Sequence, residues 1–245
     1  CNSGSEAVEA CLKFARRYWH TEGDVSRTEV VALENSFHGR TLGALSTTWE
    51  KNYRTPFEPL VPGVRFVPRE TTALTEAIST KTQVVIVEPL QGEGGVHPLS
   101  KNIARTIQRA CDETGALLIT DEVQCGLGRT GRPFYFQALN LQPDLISVGK
   151  ALGAGVPIGA ALVSERVAAA VAYGDHGSTY GGNLLACRAA LVFLEELMDR
   201  GLLGHIVKIG ALAHQQLQEL AKRHTSIIDI RGEGMMWGIE VDRNT

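Results

Sequence analysis

Lys150 stands directly after an apolar run, in Val148-Gly149-Lys150-Ala151-Leu152-Gly153-Ala154-Gly155. A lysine at the C-terminal end of a buried strand enters the crevice where open α/β sheets bind ligands. A free amine placed there can attack a carbonyl. Taken alone, a surface lysine at a strand end is the commoner explanation. Gly149-Lys150 also matches the tail of a phosphate-binding P-loop, but Ala151 follows where Ser or Thr is needed, and Asp144 stands where the first glycine belongs.

Asp121 closes another apolar run, Leu118-Ile119-Thr120, and is followed by Glu122-Val123-Gln124. A carboxylate in that position can pair with a cationic ring nitrogen and hold its proton, each unit of pKa rise representing ~1.4 kcal/mol of interaction. A protonated pyridine ring is the better electron sink. The alternative is a strand-end turn, where Asp is common. Glu122 reads as a solvated or structural acid.

Three further clusters are ambiguous one by one. Gly4 and Ser5 open a helix after Ser3, and a helix N-terminus offers unpaired N–H groups to a phosphate; a plain N-cap accounts for the same residues. Phe37-His38-Gly39-Arg40-Thr41 sets an aromatic ring beside a guanidinium that could clamp a carboxylate bidentately. Phe37 is more often core, and His38 more often hydrogen-bonded than catalytic. Gly177-Ser178-Thr179-Tyr180-Gly181-Gly182-Asn183 adds hydroxyls in a glycine-rich loop. Gly126-Leu127-Gly128-Arg129-Thr130-Gly131 fits the dinucleotide pattern by letter, yet Arg132-Pro133-Phe134 follows where a helix should open, so a flexible loop over the site is expected instead.

The elements that must position these residues follow from periodicity. Ser3 and Glu6 have capping-box spacing, and Ala7, Val8, Cys11, Leu12 and Ala15 share one helical face. Apolar runs at 30–33, 64–67, 84–87, 117–120, 145–148 and 160–163 read as strands, several covered on both faces. Helical patterns lie between some of them, notably 103–114. The fold class is therefore α/β, a mostly parallel sheet flanked by helices. Residues 184–200 and 202–222 read as helices separated by Gly201. Residues 227–241 read as two strands around Arg231-Gly232-Glu233-Gly234. The expected division is a large unit over 1–190, then a connecting helix and the beginning of a smaller α+β unit over 191–245.

Bulk properties fit an ordinary soluble chain. Its 245 residues are 44% hydrophobic and 21% charged, with a net charge of -3 and no basic run. Neither a nucleic-acid nor a membrane partner is expected. Five scattered cysteines suit a reduced, cytoplasmic setting, and no spacing suggests a metal site. The chain opens on Cys1 against a motif and ends on Asp242-Arg243-Asn244-Thr245 directly after a strand, which reads as an internal piece of a longer protein.

In combination the clusters become specific. The sequence resembles the class III, fold-type I pyridoxal-phosphate aminotransferases over essentially its whole length. The resemblance is carried by Asn2-Ser3-Gly4-Ser5-Glu6-Ala7, Phe37-His38-Gly39-Arg40-Thr41, Glu88-Pro89-Leu90-Gln91-Gly92-Glu93-Gly94-Gly95, Asp121-Glu122-Val123-Gln124, Gly149-Lys150 and the 177–183 loop. It implies that Lys150 holds pyridoxal 5'-phosphate as a Schiff base and later shuttles a proton. Asp121 pairs with the ring nitrogen, Val123 and Phe37 pack on its two faces, and Gln124 meets the phenolic oxygen. Gly4 and Ser5 take the phosphate, while Ser178 and Thr179 reach the phosphate of a neighbouring subunit in a homodimer. Arg40 receives a substrate carboxylate, and Glu93 gates between substrates with an arginine not present in this sequence. Leu184 departs from the proline usual after the asparagine.

The reaction implied is a ping-pong transfer of an ω-amino group, that of N-acetylornithine, to 2-oxoglutarate, as in arginine biosynthesis. Ornithine, succinylornithine, 4-aminobutyrate and carrier-bound lysine are donors within the same class, and a glutamate-semialdehyde aminomutase is a further variant. A nicotinamide dehydrogenase built on residues 126–131, or an inactive scaffold that keeps the fold, are the readings from other classes.

Overall fold

The computed structural model describes residues 1–242, so the expectation about the Arg243–Thr245 end lies outside the described residues. Its centre is a six-stranded sheet in the order β2-β1-β3-β6-β7-β8. These strands are β1 (Glu29–Leu33), β2 (Val64–Val67), β3 (Thr82–Val87), β6 (Leu117–Asp121), β7 (Leu145–Val148) and β8 (Ala160–Val163). All neighbouring pairs are parallel except β7 with β8, which run antiparallel at one edge. A two-residue pair, β4 (Leu90–Gln91) and β5 (His97–Pro98), projects beyond β3. The helices are α1 (Gly4–Thr21), α2 (Leu42–Ser46), α3 (Lys51–Arg54), α4 (Thr71–Ala77), α5 (Lys101–Thr114), α6 (Glu165–Ala168), α7 (Leu184–Met198) and α8 (Leu202–Arg223).

Alternation along the strands builds two cores. Val30, Ala32, Val84, Ile86, Leu117, Ile119 and Leu145 meet Val8, Cys11 and Ala15 of α1 on one face. Val31, Leu33, Val85, Val87 and Leu118 meet Leu74 of α4 and Ile103 and Ile107 of α5 on the other. Each fully buried aliphatic side chain contributes ~1.5–3 kcal/mol relative to exposure, so a sheet covered on both faces is the stable arrangement for these runs. Ser100 caps α5 by accepting the Ile103 N–H at 3.2 Å, and Gly115, at φ +77°, ends it.

Strands expected at 64–67, 145–148 and 160–163 match, and α5 begins two residues earlier than the pattern suggested. The hairpin β9 (Ile227–Glu233) and β10 (Met236–Val241) begins a smaller unit, but its turn is not where it was placed. Glu233 pairs with Met236, so Gly234-Met235 makes the loop, while Arg231 and Gly232 lie in the ladder opposite Gly238 and Trp237. Gly234, at φ +58°, supplies the left-handed turn conformation. The 190/191 division falls inside the continuous helix α7. Among the described residues no helix is long and apolar enough to cross a membrane.

Candidate active site

The chain runs from β1 to β2 on one side and returns to place β3 on the other side of β1. Ligands in such sheets bind beyond the carboxyl ends of the strands, where the direction of winding changes. At that edge Asp121 closes β6, and the segments leaving β1, β3, β6 and β7 carry Phe37 to Arg40, Glu88 to Glu93, Glu122 to Gln124, and Lys150.

Asp121 is the last residue of β6, the strand-end position expected of it, and is buried. Strand register sets Ser147 opposite it on β7, and the Ser147 hydroxyl donates to Asp121 Oδ1 at 2.9 Å. The Val123 N–H donates to the same oxygen at 3.1 Å. His38 Nδ1 lies 2.8 Å from Oδ2 and, facing a carboxylate, is the donor. Three partners fix the carboxylate before any ligand arrives.

Glu122 turns the other way. It is buried, accepts the Tyr135 and Phe136 N–H groups at 3.0 and 2.7 Å, and receives the Cys125 thiol. Burial pushes its carboxyl up to about 7. It is a structural acid and not a solvated one.

Lys150 opens a 3-10 turn over Lys150–Gly153 with φ +36°. A left-handed backbone costs an L-residue ~1–2 kcal/mol, and such strain concentrates at functional sites. A Cβ on Gly149 would stand 3.0 Å from the Gly4 Cα, so the bend before the lysine rests on the start of α1. The Lys150 side chain is exposed into a cleft of about 480 Å³ that Glu93, Gln124, Arg129 and Trp237 also line.

At the start of α1, Ser3 accepts the Glu6 N–H at 3.2 Å. Glu6 does not close the expected box on Ser3; its carboxylate reaches back one residue further and accepts the Asn2 N–H at 2.7 Å. Gly4 and Ser5 N–H groups have no acceptor among the described residues, as the first turn of a helix requires. A Cβ on Gly4 would come within 2.5 Å of Val123, so glycine there lets α1 meet the segment after β6. The Ser5 hydroxyl accepts the Arg40 N–H at 3.3 Å, joining the β1 segment to the same corner.

Arg40 is exposed, and its guanidinium lies 3.6 Å over the Tyr53 ring and 5.5 Å from that of Phe37. It holds no carboxylate among the described residues. The Phe37 and Tyr53 rings meet edge to face at 6.4 Å. Ser178 and Thr179 lie in an exposed loop; Ser178 Oγ accepts from Asn2 Nδ2 at 3.0 Å, which sets the loop near the start of α1 of its own chain.

The 126–131 segment opens no helix. It is packed and not loose: a Cβ on Gly128 would clash with Leu197 of α7, and Arg129 is its exposed residue in the cleft. His38 is hydrogen-bonded, as its sequence reading expects, while Ser147, Tyr53, Arg129 and Trp237 have no role in that reading. Ser147 carried a signal, a hydroxyl inside an apolar strand; the others become visible only when distant segments meet.

The model of the family described as aminotransferase class-III matches residues 1–245. The chain belongs to that family. This class-III chain is 45% identical over 243 residues to the acetylornithine aminotransferase of Clostridium acetobutylicum, covering 98% of the chain and 63% of that relative. It is 43% identical over 245 residues to that of Methanocaldococcus jannaschii, covering 100% of the chain and 62% of that relative. Among solved structures it superposes on the ornithine aminotransferase of Toxoplasma gondii with a TM-score of 0.94 at 35% identity, covering 100% of this chain and 59% of that one. A PLP-bound amine transaminase from an uncultivated Pseudomonas species gives 0.90 at 31% identity, covering 99% and 62%. The class-III chain thus spans less than two thirds of these relatives.

Proposed function

We propose that this protein is a pyridoxal-phosphate-dependent aminotransferase that moves the ω-amino group of N2-acetylornithine to 2-oxoglutarate by a ping-pong mechanism, as in arginine biosynthesis. The observation that carries the chemistry is the neighbouring of β6 and β7, which brings Asp121 and Lys150 to one edge of the sheet. The substrate is supported by two relatives named acetylornithine aminotransferase. The likeness to an ornithine aminotransferase favours ornithine as the second candidate donor.

The residues present fit the cofactor. Gly4 and Ser5 offer two unpaired N–H groups for a phosphate. Asp121 accepts two hydrogen bonds at Oδ1 and one at Oδ2, leaving Oδ2 the free lone pair for a ring N–H. Val123 and Phe37 would cover the ring, and Gln124 would donate to its phenolic oxygen. Bound pyridoxal phosphate supplies a carbonyl for amines and an electron-withdrawing ring.

The chain's own groups do the rest. Lys150 Nζ would anchor the cofactor and, as a free amine, would move a proton from and to the substrate carbon. Asp121 keeps the ring nitrogen protonated. Arg40 orients a substrate carboxylate and Glu93 stands at the cleft where donor and acceptor alternate. In the same reading residues 1–190 hold the cofactor, and 191–245 form the connecting helix and the start of a smaller unit. The protein is a cytoplasmic homodimer, the Ser178-Thr179 loop serving the neighbouring subunit's phosphate.

The test is an absorbance spectrum with pyridoxal phosphate, followed by borohydride reduction and mapping of the label to Lys150. The same reducible adduct in Lys150→Ala would show the assignment to be wrong. A panel of amino donors with 2-oxoglutarate decides the substrate, and no turnover of acetylornithine removes it.

A further inference from the structure

Three buried ionisable side chains meet behind the site, and only one of them enters the chemistry above. His38 is 3% exposed, Glu88 4% and Asp121 4%. They come from the segment after β1, the residue after β3 and the end of β6, and these strands are adjacent in the order β1-β3-β6. The cluster is therefore fixed by strand order.

His38 is held from two sides. Its N–H and that of Gly39 donate to the Thr48 hydroxyl at 3.0 and 3.3 Å. Its Nδ1 donates to Asp121 Oδ2, and Nε2 has no hydrogen-bond partner among the described residues. Glu88 accepts the Phe37 N–H on Oε1 at 2.8 Å and the Gly92 N–H on Oε2 at 3.1 Å. One carboxylate thus ties the residue before His38 to the segment that leads to Glu93.

The hydrogen bonds of Asp121 show why this matters. Both acceptor sites of Oδ1 are used by Ser147 and Val123, and Oδ2 has one site left. His38 occupies the other. A ring nitrogen that donates to Asp121 therefore shares an oxygen with the His38 N–H. The ionisable groups facing Glu88 are His38, Asp121 and the Cys125 thiol. Burial pushes the Glu88 carboxyl up to about 7, with the His38 charge pulling down and Asp121 pushing up. Its charge therefore changes in the neutral range, inside a low-dielectric cluster where a charge acts strongly.

We propose that His38 and Glu88 are positioning residues for the cofactor: His38 aims Oδ2 of Asp121 at the ring nitrogen, and the negative charge of Glu88 strengthens the hold of that pair on the ring proton. The proposal rests on the pyridoxal-phosphate reading. A group that served packing alone would affect folding stability without changing the protonation of a bound chromophore.

The experiment uses the holoenzyme, titrating pyridoxal phosphate affinity and the pH dependence of the bound chromophore's absorbance in wild type, His38→Leu, His38→Asn and Glu88→Gln. Removing a hydrogen bond to a charged group is expected to weaken affinity ~10-fold or more in His38→Leu. Asn places an amide N–H near the Nδ1 position and should restore most of that affinity. Glu88→Gln removes a negative charge beside a cation, so the absorbance midpoint should move to lower pH. If wild type forms the borohydride-reducible adduct but every folded variant keeps its affinity and midpoint, the positioning role is overturned and the cofactor reading stands. If wild type forms no adduct, both fall. Should His38→Leu not fold, His38→Ala takes its place, and unchanged affinity in that variant together with an unchanged midpoint in Glu88→Gln overturns it equally.

Discussion

Ser147 stands opposite Asp121 in the ladder of β6 and β7, and its buried hydroxyl donates to Asp121 Oδ1 at 2.9 Å. The strand register thereby aims the carboxylate. Ser147→Ala removes one donor and leaves the Val123 N–H and His38 in place. A hydrogen bond to a charged carboxylate is worth ~1.5 kcal/mol or more, so pyridoxal phosphate affinity should fall about tenfold. Asp121→Asn removes the charge itself, and amine transfer should fall ~100-fold or more, given the strength of charge-assisted bonds. Equal losses in the two variants, measured by cofactor titration and by turnover, would contradict the placement.

Gly4 and Gly149 form the contact that brings the start of α1 against the lysine bend. A Cβ on Gly149 would stand 3.0 and 3.1 Å from the Gly4 Cα and N, backbone atoms that cannot rotate away. Gly149→Ala should therefore cost ~1–3 kcal/mol of stability, as overpacking does. It should also weaken cofactor binding, because Lys150 and the free N–H groups of α1 move apart. Urea denaturation and cofactor titration check both effects; loss of stability with unchanged affinity would separate the contact from the site.

Much of this was legible in the sequence, and the limits have physical causes. Apolar runs without alternation gave the strands because a sheet covered on both faces needs them. Lys150 and Asp121 were found because a polar residue at the end of such a run stands out. The partner of His38 did not stand out: it is 83 residues away, and only the strand order brings the two together. Tyr53 was missed for the same reason, being placed by short helices too weakly periodic to read. The hairpin turn was misplaced because Arg231-Gly232-Glu233-Gly234 contains two glycines, and only pairing shows which one turns.

Glu122 gives a pH dependence with a definite sign. Its carboxyl is raised from 4.5 to about 7 by burial. Between those values the folded chain binds more protons there than the unfolded chain, so stability falls as pH rises through the window. Glu88 is raised over the same range and acts in the same direction. Above about 7 the loss is complete and the curve from these groups is flat. Glu122→Gln should make the fall between mildly acid and neutral pH shallower. Urea midpoints across the window test this, and an unchanged slope would mean that Glu122 does not titrate there.

Lys150 carries a left-handed backbone at φ +36°. Glycine adopts that conformation without the steric cost, so Lys150→Gly should raise stability by ~1 kcal/mol while abolishing the reducible cofactor linkage. Lys150→Ala abolishes the linkage without the gain. Thermal unfolding of the two variants without cofactor provides the comparison. Identical midpoints would show that the lysine backbone is not strained.

Tyr53 supports Arg40, whose guanidinium lies 3.6 Å over its ring. An exposed cation–π contact is worth ~0.5–1 kcal/mol, and its loss frees a long side chain that must otherwise be ordered at each binding event. Tyr53→Ala should raise KM for a carboxylate-bearing substrate about three- to fivefold and leave kcat nearly unchanged, because the contact acts equally on ground and transition states. Tyr53→Phe keeps the ring face and should behave as wild type. Arg40→Ala should raise KM further, and combining it with Tyr53→Ala should add little, since the ring then has no guanidinium to hold. Steady-state kinetics of the four variants checks this, and additive losses would show that Tyr53 acts on the substrate by another route.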